Sequence, residues 1–176
     1  MKEESIMYEK IISIDTETTG FSDRDELLQL SIVGTSGEVL YDSYVRPTVL
    51  TEWPEAEAVN GISPDLVIDA PTTEQVAAEV APIFENAEIL VGYNTPFDAG
   101  FVERCLNIQL GHLRQEDVMW MFADHMVGLG DKRRRHKLID CAAFFGFEWP
   151  GNAHNSRNDA LATMFCYKAM TRKEGE

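Results

Sequence analysis

The sequence predicts an α/β domain built on a mixed sheet, and three observations lead there. Runs rich in β-branched and apolar residues, bounded by turn residues, open the chain at 10–17, 26–34 and 38–45. A short apolar strand at 88–93 then runs directly into a helical pattern at 96–106. From there helical patterns continue to the end, so strands come first, strand–helix alternation next and helices last.

Each element has its own cue. The first run, Lys10-Ile-Ile-Ser-Ile-Asp-Thr-Glu17, is a buried strand closed by Thr18-Thr19-Gly20. Ser36-Gly37 marks the turn between the second and third strands, and Pro47 ends the third. Such short connections predict an antiparallel meander. Residues 52–70 mix prolines with short helical pieces. Thr72-x-x-Gln75 has capping-box spacing and opens a helix to about Phe84. Pro96 suits the first turn of the helix that reaches Leu106. Later helices are expected at 116–127, 136–145 and 158–170, the last burying a stripe of Leu161, Met164, Phe165 and Ala169. No repeat, low-complexity tract or linker divides the chain, so residues 1–176 read as one domain with a core of about 8–171.

Composition narrows the function. Hydrophobic residues at 44% and charged residues at 26% belong to an ordinary globular chain. The acidic start Met1-Lys-Glu-Glu-Ser5 is no signal peptide, and no run approaches the roughly 18 apolar residues of a membrane span. Cys105, Cys141 and Cys166 form no Cys-x-x-Cys pair and read as reduced, buried thiols. A reducing, cytoplasmic location without membrane association is expected. The net charge of −15 argues against a broad grip on many phosphates. It leaves room for a compact site in which carboxylates hold cations that supply positive charge locally.

Three clusters carry that chemistry. Asp15 and Glu17 lie two apart on a strand and project from the same face. Adjacent like charges repel, so the pair makes little sense without a cation; the plain alternative is a polar strand end in water. In Gly92-Tyr-Asn94-Thr-Pro-Phe-Asp98, an aspartate sits in a first helical turn, where the helix dipole alone would favour it. In His154-Asn-Ser-Arg-Asn-Asp159, a second such aspartate follows a loop histidine able to move a proton near neutral pH. Oxygen-rich, sulfur-free ligation suits Mg²⁺ or Mn²⁺, and four carboxylates can hold two such ions around a phosphodiester.

These residues resemble a known family. Ile-Asp15-Thr-Glu17-Thr-Thr-Gly-Phe, Tyr-Asn94-Thr-Pro-Phe-Asp98 and His154-x-x-x-x-Asp159 are similar to the three exonuclease motifs of the DnaQ-like family, in the order and spacing of its DEDDh branch. Asn60-Gly-Ile-Ser63 and Lys137–Gly146 resemble two further family segments. The resemblance covers about residues 8–171. It implies a ribonuclease-H-like fold, an α/β five-stranded mixed sheet flanked by helices, and metal-dependent 3′–5′ exonuclease activity on DNA. It further implies that Asp15, Glu17 and Asp159 ligate two Mg²⁺ (or Mn²⁺), with Asp15 bridging, and that Asp98 holds a metal directly or through water. His154 is the implied general base. Thr18 and the backbone near Glu17 would bind the 3′-terminal nucleotide, with Asn94 nearby.

Other signals are less specific. Lys132-Arg-Arg-Arg-His-Lys137 holds five of the fifteen basic residues. It reads as a solvated loop or a helix start or, through Arg133, Arg134 and Arg135, as a phosphate-contacting edge. Phe21, Phe97 and Phe101 could stack on terminal bases, although Phe97 and Phe101 also suit a core. Trp120, with Met119, Met121 and Met126, reads as an apolar helix face for core or dimer contact. The expected substrate is single-stranded or frayed DNA 3′ ends. An exoribonuclease of the same fold is the rival, and a nuclease-like binding module of a polymerase complex is the third reading. The enzyme is expected either to stand alone or to partner a DNA polymerase or other replication protein. Monomer and homodimer stay open.

Overall fold

The structure, a computed structural model, describes residues 10–150 and 155–172. Five strands form one sheet: β1 (Ile11–Thr18), β2 (Leu27–Gly34), β3 (Val39–Tyr44), β4 (Ile89–Gly92) and β5 (Arg114–Asp117). Their order is β3-β2-β1-β4-β5. The first three pair antiparallel through short turns, whereas β4 and β5 run parallel to β1. Parallel neighbours need crossovers, which helices provide. Seven helices are assigned among the described residues: α1 (Pro54–Asn60), α2 (Pro64–Val67), α3 (Thr73–Asn86), α4 (Thr95–Leu106), α5 (Val118–Gly128), α6 (Leu138–Phe145) and α7 (Ser156–Thr171). The sheet and flanking helices form the expected ribonuclease-H-like arrangement. No helix among the described residues is long and apolar enough to cross a membrane.

Alternation along β1 divides the interior. Ile12 and Ile14 join a core with Leu30, Ile32, Val80, Phe84 and Val102, where α3 and α4 cover one face of the sheet. On the other face, Val91, Val118, Phe122, Cys141, Met164 and Tyr167 pack among α5, α6 and α7. Helix α3 starts with both halves of its expected capping box, Gln75 N–H to Thr72 Oγ1 and Thr72 N–H to Gln75 Oε1.

Two expectations need correction. Residues 114–117, left outside any strand by their pattern and partly assigned to a helix, form β5. Arg-Gln-Glu-Asp carries no apolar alternation; backbone pairing with β4 alone defines this edge strand. The stripe predicted for α7 coincides only in part with its buried face, through Met164 and the half-buried Leu161. Ala160, Ala162, Thr163, Met164, Cys166 and Tyr167 are buried, whereas Phe165 and Ala169 are exposed. Small residues let the helix lie close on the sheet. Leu161, Met164, Phe165 and Ala169 instead line a groove of about 380 Å³ beside Phe145, Phe147 and the β2–β3 turn. All three cysteines are free thiols; Cys141 and Cys166 are buried, and Cys105 is partly so.

The β4–α4 junction is tight. A Cβ on Gly92 would lie 2.8 Å from Thr95 Oγ1 and 2.9 Å from Thr95 Cα, while Thr95 Oγ1 is already committed to Glu116 O. Gly92→Ala is therefore expected to cost about 1–3 kcal/mol in urea unfolding. Gly100→Ala, in the same α4 with open space around its Cβ, should instead stabilise by roughly 0.5–1 kcal/mol. Equal effects of the two would refute the steric account.

Candidate active site

The C-terminal end of β1 supplies the first two acids. Asp15 and Glu17 share the face turned toward α7, and a register irregularity between Glu17 and Thr18 bends the strand there. Asp159 enters from the first turn of α7. Asp15, Glu17 and Asp159 each present an oxygen, all within 4.8 Å of one another. One buried contact sets the height of α7. Ser156 Oγ lies 2.6 Å from Ser31 Oγ, and Ser31 stands opposite Asp15 in the sheet register. Ser31 spends its single hydroxyl hydrogen on Asp42 Oδ1, so Ser156 is the donor in that contact.

Asp98 arrives from the opposite side. Thr16 faces α4, and it donates both its N–H (2.9 Å) and its Oγ1–H (2.7 Å) to Asp98 Oδ1. Asp98 is buried in the first turn of α4. It thus flanks the three-acid group rather than joining it.

Electrostatics bear the imprint of this crowding. Burial, then the charges of Asp98, Asp159 and Glu17, hold the Asp15 carboxyl well above the usual carboxylate range. Burial followed by Asp159 pushes Glu17 up to about 7, against a hydrogen bond from Asn60. Burial also raises Asp98, although its bonds from Thr16 oppose the shift. Such acids resist sharing negative charge unless a cation lies among them. An all-oxygen set of this kind fits a hard divalent ion.

Beside Glu17 lies a cleft of about 300 Å³ lined by Thr16–Phe21, Glu55, Ala56, Val59, Asn60 and Phe97. Thr18 is there as expected, but its hydroxyl donates to Gly20 O at 2.6 Å. Phe21 is 89% exposed at the mouth, 6.0 Å from Phe97 between ring centroids. Phe101 is buried core, whereas Phe97 is only partly covered and packs against it at 5.0 Å between ring centroids. Asp25 shapes the loop bearing Phe21 by accepting from Thr19 Oγ1, Ser22 N–H and Ser22 Oγ. Asn94 does not line this cleft. It adopts left-handed backbone at the start of α4, is exposed, and gives its N–H to Asp117 Oδ1.

His154 lies outside the described residues. Arg133 and Arg134 pair with Asp124 and Asp131, and Arg133 and Arg135 lie 4.5 and 5.5 Å from the Trp120 ring centroid. Met119 is core, but Trp120 is only half-buried beneath these guanidinium groups. Sequence reading gave no role to Thr16 or to Asn60 individually. Thr16, between two acids on a strand, necessarily faces the other way. Asn60 bonds Thr18 O and Ile62 N–H, a linkage no local spacing reveals.

Comparison with known proteins identifies the family and supports the fold. The RNase_T exonuclease family model matches residues 12–167. An uncharacterized exonuclease of Escherichia phage 186, CP81, is 27% identical over 172 residues, covering 92% of this chain and 88% of that protein. RNA exonuclease 4 of Aspergillus fumigatus is 34% identical over 169 residues, covering 90% of this chain but 50% of that protein. Among solved structures, E. coli exonuclease I in complex with a dA16 oligonucleotide superposes with a TM-score of 0.75 at 18% identity, over 92% of this chain and 41% of that one. This chain therefore spans about half the length of the Aspergillus protein and less than half of exonuclease I. With the family match running through the strand and helices that bear the acids, the chain belongs to the RNase_T exonuclease family, the DnaQ-like 3′–5′ exonucleases of the ribonuclease-H-like superfamily.

Proposed function

We propose that this exonuclease releases nucleoside monophosphates from single-stranded or frayed DNA 3′ ends, using two divalent ions and His154 as general base. The observation that carries the reading is the convergence of Asp15, Glu17 and Asp159 within 4.8 Å beside a cleft rimmed by Phe21 and Phe97. Asp15, Glu17 and Asp159 would hold the ions, with Asp98 contributing through water, since Thr16 occupies one of its oxygens. Bound Mg²⁺ or Mn²⁺ would neutralise the phosphodiester and sharpen the acidity of water. Thr18 and neighbouring backbone would seat the 3′-terminal nucleotide, and Phe21 and Phe97 would hold its base. His154 would take the proton as water oxygen bonds to phosphorus, and the bond to the 3′ oxygen of the preceding nucleotide breaks.

RNA is the second reading, favoured by the 34% identity to an RNA exonuclease. The distinction rests on whether the cleft accepts a 2′-hydroxyl. Incubating 5′-labelled DNA and RNA of equal sequence with Mg²⁺ or EDTA tests both. DNA shortened faster from its 3′ end supports the proposal; RNA shortened faster transfers it to the second reading. No metal-dependent shortening of either would point to the nuclease-like binding module.

Two variants probe the chemistry. Asp15→Ala should abolish Mn²⁺ binding and cleavage together. His154→Ala should retain Mn²⁺ binding in calorimetry while hydrolysis slows roughly 100- to 10,000-fold. Near-native cleavage by Asp15→Ala would overturn the metal assignment.

Acid crowding also predicts how pH acts on the metal-free fold. Glu17 titrates near 7 in the folded chain against an ordinary 4.5, so the folded state binds more protons between those limits. Stability from this group is therefore present at low pH and lost as pH rises toward 7. In EDTA, wild-type Tm relative to that of Glu17→Gln should fall by roughly 3–8 °C between pH 5 and 8. Mn²⁺ at pH 8 should raise wild-type Tm and leave Asp15→Asn unchanged. A pH-independent difference between wild type and Glu17→Gln would contradict the raised value.

A further inference from the structure

The basic segment 132–137 does not line the cleft at Glu17, yet the fold brings it to the same end of the parallel strands. Strand β5 ends at Asp117, level with Gly92 at the end of β4, and Asp117 caps α5 while bonding the N–H of Asn94. Trp120 follows in the first turn of α5. The segment is tied back to this end by Tyr93, whose Oη donates to His136 O at 2.9 Å. The His136 ring is buried edge-on against Phe122, at 5.1 Å between centroids. Residues 132–135 therefore leave a fixed anchor and fold over Trp120. With β4 and β5 the next two strands beyond β1, the strand that leads into α5 lies roughly 10 Å across the sheet from β1.

Its composition is unlike the rest of the chain. A protein of net charge −15 concentrates five of its fifteen Lys and Arg residues here, around a half-buried indole. Arg133 and Arg135 lie 4.5 and 5.5 Å from the ring centroid, so the aromatic face orders both guanidinium groups before any ligand arrives. Asp124 pairs with Arg133 and Asp131 with Arg134. Among the described residues, Arg135 has no carboxylate within 4.0 Å. An indole overlaid by guanidinium groups suits a single-stranded nucleic acid, in which bases stack on aromatic rings or guanidinium planes and phosphates accept from arginine.

We infer that Trp120, Arg133 and Arg135 form a second nucleic-acid subsite, which receives a base and the flanking phosphates of the strand upstream of its 3′-terminal nucleotide. The inference rests on the exonuclease reading for its substrate, and it deepens that reading by making the enzyme sensitive to strand length. The base stacks on the indole as Arg133 and Arg135 turn from its face onto the flanking phosphates, and the Asp124 pairing of Arg133 is exchanged for a phosphate as the strand enters. The short terminal piece of a strand, held only at the acids and the Phe21–Phe97 cleft, gains nothing from this subsite.

The test separates binding from catalysis. Anisotropy of 5′-fluorescein-labelled dT16 and dT2 is measured in EDTA with wild type, Trp120→Ala, Trp120→Phe and Arg133→Ala/Arg135→Ala. Trp120→Ala and the double variant should weaken dT16 about 5- to 50-fold and change dT2 less than about twofold. Trp120→Phe should restore most of the dT16 affinity. The double variant should also flatten the slope of log Kd against log salt by about 1–2. Unchanged dT16 binding in both, or equal weakening of dT16 and dT2, overturns the subsite. Mg²⁺-dependent hydrolysis of thymidine monophosphate p-nitrophenyl ester by the same variants reports the acid cluster separately. Retained hydrolysis with lost dT16 affinity supports the subsite. Wild-type binding of dT16 without metal-dependent shortening would defeat the exonuclease reading while leaving the subsite standing.

Discussion

Two hydrogen bonds from Thr16 to the buried Asp98 carboxylate tie α4 to β1, and the arrangement of the site hangs on them. Thr16 lies between Asp15 and Glu17, so strand alternation sends it to the opposite face. The same short stretch thereby binds α4 on one side and offers two acids to α7 on the other. A lost bond to a buried carboxylate leaves an unsatisfied charge, which makes this joint costly to open. Gly92 and Thr95 close the β4–α4 turn tightly enough to bring Asp98 within reach of Thr16. On the opposite face, the Ser31–Ser156 contact fixes the start of α7, and Asp159 follows one turn later. Position is thus set by neutral hydroxyls and a glycine, not by the acids themselves.

That division of labour follows from electrostatics. Carboxylates gathered at one buried strand end repel one another and cannot supply the cohesion that gathers them. Raised proton affinity at Asp15, Glu17 and Asp98 is the measure of that opposition. The apolar layers on both faces of β1 provide the opposing free energy, with Ile12 and Ile14 fully buried on one face and α7 pressed against the other. A cation of suitable hardness relieves the repulsion, so the strain of the metal-free fold and its affinity for metal have a common origin.

The strands and helices of the sheet's centre were legible because their patterns are periodic and their caps local. Thr72 and Gln75 announce α3, and the β-branched run at 11–14 announces β1. The placement of the four acids was legible because strand ends and first helical turns are places where spacing has spatial meaning, although Asp98 flanks the other three. Strand β5 was not, since Arg-Gln-Glu-Asp at a sheet edge is held by backbone pairing that side chains do not advertise. The face of α7 was misjudged for a related reason. Hydrophobicity selects large side chains, whereas close approach to a sheet selects small ones, and Ala160, Ala162 and Thr163 were the better guide. Trp120, read as part of an apolar face for core or dimer contact, is half-buried with two arginines over its ring, an arrangement that hydropathy alone does not reveal. His154 falls outside the described residues, so its role rests on the motif.

The acidic surplus becomes intelligible once charge is assigned by location. With 30 acids against 15 Lys and Arg, most of the surface repels a polyanion. Affinity must then come from a few places: the cations that Asp15, Glu17 and Asp159 would hold, the aromatic rim at Phe21 and Phe97, and the arginines over Trp120. Few phosphates are neutralised in such a scheme, so the salt dependence of binding is shallow and long duplexes gain little from lying along the protein. Stacking requires exposed base faces, which paired strands do not offer but single strands and frayed ends do. On this reading the unfavourable surface and the local attractive sites act in the same direction. Together they would exclude duplex interiors and admit an end.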